Sequence, residues 1–316
     1  MKVFVTGGAG FIGSHVVDRM MAEGDQVTVY DNLSSGREAF IKQHFENPRF
    51  KFVKGDLLDP TLVTKSMAEH DLVCHLAANP QAIEGIRNTR LDLELNTIAT
   101  YNVLEAMRIH NVKRIIFASS GTIYGETPDI ALPEDYGPVL PISLYGASKL
   151  ACEGLISGFA NIFGIQGWIC RLGNIVGPRA THGVIYDLLR KLRKDPTTLE
   201  VLGDGNQTKP YVYVEDLVNG LLFCLRNSHE TINLFNLAPS SVTSVKTIVK
   251  MILKATGNAN TRVRYTGGVK GGGGWPGDVS RVQLDAKKAY KLGWTPKFTS
   301  DEAVAKTISA VIEEIE

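Results

Sequence analysis

The chain has 316 residues, 44% hydrophobic and 21% charged, with 34 Lys plus Arg against 33 Asp plus Glu and a formal charge of +1. That composition is globular, excludes wholesale disorder, and at this length suits about two domains. The near-neutral balance excludes a sequence-independent electrostatic hold on nucleic acid or on an anionic membrane.

Short β-branched runs recur at Lys2–Thr6, Gln26–Asp31, Phe50–Lys54, Leu72–Leu76, Arg114–Ala118 and Gly167–Leu172. Helically spaced stretches lie between them at Ile12–Glu23, Thr61–Glu69, Leu91–Ile109 and Tyr145–Phe163. Continuous apolar strands alternating with helices predict a parallel sheet covered on both faces. The fold class is therefore α/β, a doubly wound parallel sheet. After residue 172 the rhythm loosens: a helix at Gly183–Arg193, a strand at Leu199–Leu202 and a turn at Gly203-Asp-Gly205. Val214–Arg226 reads as a helix, Ile232–Leu237 as a strand able to rejoin the main sheet, and Val245–Ala255 as a helix. Gly267–Gly274, with six glycines in eight positions, must be loop, and Ser300–Glu316 closes the chain as a helix with Ser300 as its N-cap. The expected domains are 1–172, with 212–238 rejoining it, and a smaller lobe over 173–316.

The N-terminal run reads as a strand entering a glycine turn, not as a signal peptide. The uncharged stretch Gly154–Cys170 is too short and too broken by glycine to span a bilayer. Cys74, Cys152, Cys170 and Cys224 form no Cys-x-x-Cys pair. They are expected as reduced, buried thiols in a cytoplasmic protein with no membrane, nucleic-acid or metal partner.

Gly7-Gly-Ala-Gly10-Phe11-Ile12-Gly13 follows the first strand and opens the first helix. Gly7 permits a tight turn, Gly10 lets the backbone approach a pyrophosphate, and Gly13 lets the helix pack closely on the strand. The helix N-terminus then offers N–H groups and a positive dipole end to phosphates. Asp31, 18 residues beyond Gly13, is placed for the adenosine ribose. A carboxylate there repels a 2′-phosphate and favours NAD over NADP. Asp56, after the third strand, is similarly placed to meet the adenine.

Tyr145 and Lys149 stand four apart on one helix face, where a cation can stabilise a phenolate. Ser120 lies just past the strand ending at Ala118, at the carboxyl edge where such sheets bind ligands.

With the glycine pattern, Ser120 and Tyr145-x-x-x-Lys149, the chain resembles the extended short-chain dehydrogenase/reductase family. Leu76-Ala77-Ala78, Asn96, the run from Ser119 to Gly125, the run from Arg171 through Asn174 to Arg179, Gly203-Asp-Gly205, Gly277-Asp278 and Lys291-Leu-Gly-Trp294 resemble its nucleotide-sugar 4-epimerase branch. The resemblance implies a Rossmann-like domain holding NAD and a smaller lobe gripping a UDP-sugar. It adds Asn32, Leu33, Ser34, Ser35, Gly36, Leu57, Leu76, Ala77, Ala78, Asn96 and Ser119 to the cofactor site. Tyr145 is implied as the base at the sugar 4-hydroxyl while hydride leaves C4 for the nicotinamide. Ser120 binds that oxygen, and Lys149 holds the nicotinamide ribose and lowers the Tyr145 pKa. Substrate contacts are implied at Ser120, Tyr145, Asn174, Val201, Lys209, Trp275, Asp278 and Val282, and the family's usual homodimer forms through Leu91–Ile109 and Tyr145–Phe163.

Two departures stand out. Lys209-Pro210 replaces the Arg-Asp usual for the substrate diphosphate, and Trp275 replaces a second Arg, leaving Lys270 or Arg281 as candidate substitutes. Dehydratases need an Asp-Glu pair after the active-site Ser or Thr, where this chain has Gly121 and Thr122. Val282, seven positions past Trp275, stands where a Tyr would confine the pocket to plain hexoses, so N-acetylhexosamines are expected to fit. Related dehydratases, uronate epimerases or decarboxylases, and a non-catalytic NAD sensor are the alternative readings.

Overall fold

The computed structural model describes residues 1–269 and 272–315. Lys270 therefore lies outside the described residues, as do Gly271 within the glycine loop and Glu316 at the expected helix end.

A central sheet of seven parallel strands takes β1 (Lys2–Thr6), β2 (Gln26–Asp31), β3 (Phe50–Lys54), β4 (Leu72–His75), β5 (Arg114–Ser120), β6 (Gln166–Leu172) and a later strand, Ile232–Leu237. Their spatial order is β3-β2-β1-β4-β5-β6 and then Ile232–Leu237, so the order reverses between β1 and β4. Ligands of open α/β sheets bind at such a reversal, outside the carboxyl ends of the strands.

The connecting helices are α1 (Phe11–Ala22), α2 (Pro60–Met67), α3 (Glu84–Arg87), α4 (Ala99–Ile109) and α5 (Leu144–Phe163). Local chemistry sets their starts. Asp59 Oδ1 accepts from the N–H groups of Thr61 and Leu62 at 3.0 Å each, and Pro60 fills the first position of α2. The stretch expected as one helix from Leu91 instead opens with a π-helical turn, Leu93–Ile98, that runs into α4. One buried cluster joins Phe4, Val73, Ile115, Phe117 and Ile169 of the sheet to Val103, Leu104 and Met107 of α4 and Cys152 and Ile156 of α5. All four cysteines are buried and unbridged.

The chain divides into two compact units. One comprises Met1–Ser120, Leu144–Arg171 and Val218–Phe235; the other comprises Gly121–Ser143, Leu172–Leu217 and the chain from Asn236 onward. Gly121–Ser143, assigned above to the first domain, thus belongs to the second unit. Within that unit Leu132 N–H donates to the Gln283 carbonyl and Asp285 N–H to that of Leu132, which stitches the excursion to the C-terminal third of the chain.

The second unit carries short pairings between β7 (Asn174–Val176) and β10 (Tyr211–Tyr213), β8 (Thr198–Val201) and β13 (Arg262–Tyr265), and β9 (Thr208–Lys209) and β12 (Thr243–Ser244). Its helices are α6 (Val184–Lys194), α7 (Val214–Asn227, which continues into the first unit), α8 (Val245–Ala255), α9 (Lys287–Leu292) and α10 (Ser300–Ile315). Leu188, Leu192, Ile248, Ile252, Val304 and Ile308 meet in a second core.

Ser300 is not the N-cap of α10. Its Oγ accepts from Tyr211 N–H at 3.0 Å inside the protein, and Thr299 takes the capping place. Thr299 N–H and Oγ1 each donate to Glu302 Oε2 at 2.8 Å. The arrangement is a capping box one residue earlier than expected.

His75, at the end of β4, is buried between Thr6 Oγ1 at 2.7 Å and Thr100 Oγ1 at 2.9 Å. Burial first, and then the nearby charge of Lys149, push its pKa down to about 3. The folded protein therefore keeps this ring neutral, whereas the unfolded chain protonates it near pH 6.5. Its contribution to stability is complete above that pH and declines as pH falls toward 3. Thermal melts from pH 7 down to 4.5 should show a falling Tm, and His75→Asn should flatten that slope even if its melting point is lower throughout.

Candidate active site

The turn after β1 is shaped by contacts that only glycine allows. Gly7 has φ +68°, and a Cβ there would lie 2.7 Å from the Ala77 nitrogen, just past β4. The two strands flanking the order reversal thus touch through backbone. At Gly13 a Cβ would stand 2.0 Å from the Gly7 carbonyl oxygen, so α1 is pressed onto the turn. Gly10 ends the turn as N-cap of α1 and supplies no side-chain cap, and no acid occupies the first turn. The positive end of α1, beginning at Phe11 and Ile12, is thus left for an anionic ligand.

Asp31 closes the other side. Its Oδ2 accepts from Ala9 N–H at 3.0 Å and its Oδ1 from Leu33 N–H at 2.8 Å. Burial nonetheless pushes the carboxyl up from its ordinary value, with those two N–H groups pulling it back. Gly36 runs so close that a Cβ there would be 2.9 Å from Asp31 Oδ1. Between them Leu33 takes φ +61° and Ser34 N–H donates to Asn32 Oδ1, folding Asn32–Gly36 back over the carboxylate. Asn32 Nδ2 donates to Asp56 Oδ2 at 3.1 Å, bringing the loop after β3 alongside, with Leu57 buried behind it. Leu76 and Ala77 present their N–H groups to Thr6 Oγ1, and Ala78 follows on the same edge.

The second constellation forms at the carboxyl end of β5. Lys149 Nζ donates to the Ala118 carbonyl at 2.8 Å and lies 4.8 Å from the centre of the Phe117 ring and 5.8 Å from that of Tyr145. Tyr145 and Ser120 share a hydrogen bond between their side chains. Ser119 is turned away: its Oγ donates to Glu153 Oε1 at 2.5 Å, and Arg171 grips both oxygens of that carboxylate.

Burial pushes the Tyr145 phenol up to about 12, aided by the negative Asp92, while the Ser120 hydrogen bond pulls it back. Burial likewise pushes Lys149 down to about 8, against Cys152, Asp92 and Glu153, which favour its charge. The lysine does bring its cation beside the phenol, yet in the protein alone desolvation outweighs it.

Residues 3–238 match the model of the NAD dependent epimerase/dehydratase family. The chain belongs to that family. It is 33% identical over 314 residues, 97% of either chain, to a putative UDP-glucose 4-epimerase of Methanocaldococcus jannaschii. Among solved structures, a UDP-galactose 4-epimerase is 37% identical with a TM-score of 0.89, each chain covered completely. The UDP-glucose 4-epimerase of Thermotoga maritima, solved with UDP-glucose, is 32% identical with a TM-score of 0.87, again over both whole chains. The residues here fit the dinucleotide of this NAD-dependent family: a side-chain-free cradle, an uncapped helix end, and a buried acid beyond them.

Asn96, expected at the cofactor, sits in the π-helical turn, a feature frequent at functional sites. Its Oδ1 accepts from Asn79 N–H at 2.8 Å and its Nδ2 donates to Ser148 Oγ at 2.8 Å. Asn79 and Asp92 complete this cluster and were missed in the sequence. Their signals are slight: Asn79 directly follows Leu76-Ala77-Ala78, and Asp92 stands one helical turn before Asn96.

Apart from Ser120 and Tyr145, the expected substrate residues lie in the second unit and are only partly brought together. Lys209 Nζ pairs with Asp278 Oδ1 at 2.6 Å and lies 5.8 Å from the Trp275 ring centre, while Gly274 N–H donates to Asp278 Oδ2. Lys209 is therefore already neutralised. Arg281 is engaged with Asp129 at 3.1 Å on the surface. Val282 is nearly buried, its Cγ1 3.3 Å from where a Cβ of Gly121 would stand. Asn174 is exposed in β7. Val201 is buried in the second core, and the next residue, Leu202, is 41% exposed.

Gly13→Ala tests the cradle. Its methyl group would collide with backbone, which cannot rotate away, so a loss of about 2 kcal/mol or more is expected. Thermal denaturation reads the loss, and NAD binding by calorimetry should weaken with it.

Proposed function

We propose that the protein is an NAD-dependent 4-epimerase of UDP-hexoses. The observation that carries this reading is the grouping of Tyr145, Lys149 and Ser120 at the carboxyl end of β5. Gly7, Gly10, Phe11, Ile12 and Gly13 would hold the pyrophosphate, and Asp31 with Asn32–Gly36 the adenosine ribose. Asp56 and Leu57 would flank the adenine, and Leu76–Ala78, Asn96, Ser119, Tyr145 and Lys149 would border the nicotinamide end. When bound in its oxidised form, NAD supplies a hydride acceptor that returns the hydride later, together with a positively charged ring.

Tyr145, as phenolate, takes the proton of the sugar 4-hydroxyl, and the 4-keto sugar forms as hydride leaves C4. Ser120, already hydrogen-bonded to the phenol, binds the same oxygen and orients it. Lys149 contributes its cation from the Ala118 carbonyl, which fixes the ammonium in place. Once the 4-keto sugar has turned over and C4 has regained the hydride on its opposite face, return of the proton from Tyr145 to the oxygen gives the epimer. In the protein alone burial keeps the Tyr145 phenol protonated, and the positive ring of NAD, when bound, would favour the phenolate.

The dehydratase reading fares worse for a stated reason. Elimination of water needs an acid and a base after Ser120, whereas Gly121 has no side chain and lies beneath Val282 and Leu284. Substrate contacts are proposed at Lys209, Asp278, Trp275, Asn174 and Val282. Homodimerisation is proposed through the apolar surface left by Leu93, Ile98, Tyr101 and Ile109 beside α4 and by Leu144, Ile162 and Phe163 on α5. No helix among the described residues is long and apolar enough to cross a membrane, and no group of metal-ligating side chains occurs among them.

Tyr145→Phe should lower turnover of UDP-galactose by ~10² or more while NAD stays bound. Near-normal turnover would remove Tyr145 from the mechanism, and failure of the wild type on every UDP-hexose would overturn the assignment. Val282 presents a small side chain beside Gly121, so UDP-N-acetylhexosamines should be accepted together with the plain hexoses. Val282→Tyr, checked for folding by its melting curve, should depress turnover of the N-acetyl sugars more than that of UDP-galactose. Equal loss on both would place the gate elsewhere.

A further inference from the structure

Asp92 is a buried acid that the reaction above does not use. It is 1% exposed and immediately precedes the π-helical turn. Its Oδ1 accepts from Asn79 Nδ2 at 2.9 Å and from Asn96 Nδ2 at 3.2 Å. Asn96 Nδ2 also donates to Ser148 Oγ, and that hydroxyl donates to the Tyr145 carbonyl at 2.8 Å. The carboxylate is thereby tied by hydrogen bonds to the first turn of α5. Its other oxygen, Oδ2, is buried and has no hydrogen-bond partner among the described residues. A Cβ on Gly85 would stand 2.3 Å from Oδ2, so α3 is held against the carboxylate by a residue without a side chain.

An isolated buried charge is costly: burial pushes the Asp92 carboxyl up from its ordinary value, and the bonds from Asn79 and Asn96, then the charge of Lys149, draw it back toward the anion. Arg171 and Glu153 satisfy one another. Lys149 remains as the buried cation, hydrogen-bonded to a neutral carbonyl. We propose that Asp92 is a positioning residue that balances the charge of Lys149 and sets the pH at which Tyr145 becomes a base. The titratable and charged groups facing this pair are Cys152 and Glu153 on α5, His75 on β4, Tyr145 and Asp92 itself; His75 is neutral and Glu153 is already paired. The anion opposes ionisation of the phenol and favours the ammonium, which is the direction in which both groups respond to it.

This role rests on Tyr145 being the base, so its test uses two readouts. Asp92→Asn keeps an oxygen to accept from Asn79 and Asn96 but removes the charge. In the NAD-loaded protein without sugar, tyrosinate absorbance relative to Tyr145→Phe reports ionisation of Tyr145. It should occur about one pH unit lower in Asp92→Asn than in the wild type. Both limbs of the pH profile for UDP-hexose turnover should move to lower pH together, because Lys149 loses the same support. A purely structural role would lower the profile without moving it. An unmoved or upward-shifted tyrosinate titration overturns the proposal. Asp92→Ser, neutral and smaller, should give the same displacement and serves if the Asn variant does not fold. The tyrosinate readout needs no turnover, so it separates failure of this role from failure of the epimerase assignment.

Discussion

The chemical end depends on one polar stripe along α5. Tyr145, Lys149 and Glu153 follow at intervals of four, so all three face the carboxyl end of β5. Glu153 anchors the stripe: its carboxylate takes Ser119 from β5 and the guanidinium of Arg171 from β6. Breaking such a buried pair from one side costs roughly 3–5 kcal/mol, because the remaining charge has no water to turn to. With Glu153 held, the turn above it places Lys149 on the Ala118 carbonyl, and the next places Tyr145 at Ser120. Helix position and side-chain chemistry are therefore set by the same contacts. The apolar residues Cys152 and Ile156, beside the stripe, lock the helix into the sheet's core and prevent it from rotating.

That arrangement carries an electrostatic price. Lys149 and Tyr145 are drawn out of water, and each is moved toward its neutral form: the ammonium down to about 8, the phenol up to about 12. In the protein alone the pair is therefore held toward its uncharged forms. Toward β4 and the π-helical turn the neighbours other than Asp92 are uncharged. His75 is held uncharged between two threonine hydroxyls, and Asn79, Asn96 and Ser148 carry the contacts that charged residues would otherwise make.

The inner strands were legible because a strand covered on both faces is apolar nearly throughout, and the edge strand Phe50–Lys54 because its β-branched and aromatic residues stand between polar ones. Lys2–Thr6, Gln26–Asp31, Phe50–Lys54 and Ile232–Leu237 match their expected limits residue for residue. The glycine turn and the Tyr145–Lys149 pair were legible for a related reason: both depend on local spacing. What escaped depends on partners distant in sequence. Gly121–Ser143 follows the strand carrying Ser120, yet its backbone pairs with Gln283 and Asp285. Ser300 and Thr299 are equally good caps by composition, and only the buried bond from Tyr211 N–H to Ser300 decides between them. The same holds for Asp92, an ordinary acid until Asn79 and Gly85 are seen around it.

The second unit shows how one departure from a familiar pattern draws others with it. A guanidinium can serve a carboxylate and still present other N–H groups in fixed directions, whereas an ammonium is a single compact charge. Lys209 spends that charge on Asp278 at 2.6 Å, in a place where both side chains are largely buried. The indole of Trp275 then stands beside the ammonium at a distance suited to cation–π attraction, where a second cation would repel it. Lysine at 209 and tryptophan at 275 are thus a matched pair, and restoring arginine at 275 alone would set two positive charges against one carboxylate. A diphosphate bound at Lys209, as proposed above, would have to compete with Asp278 for its charge.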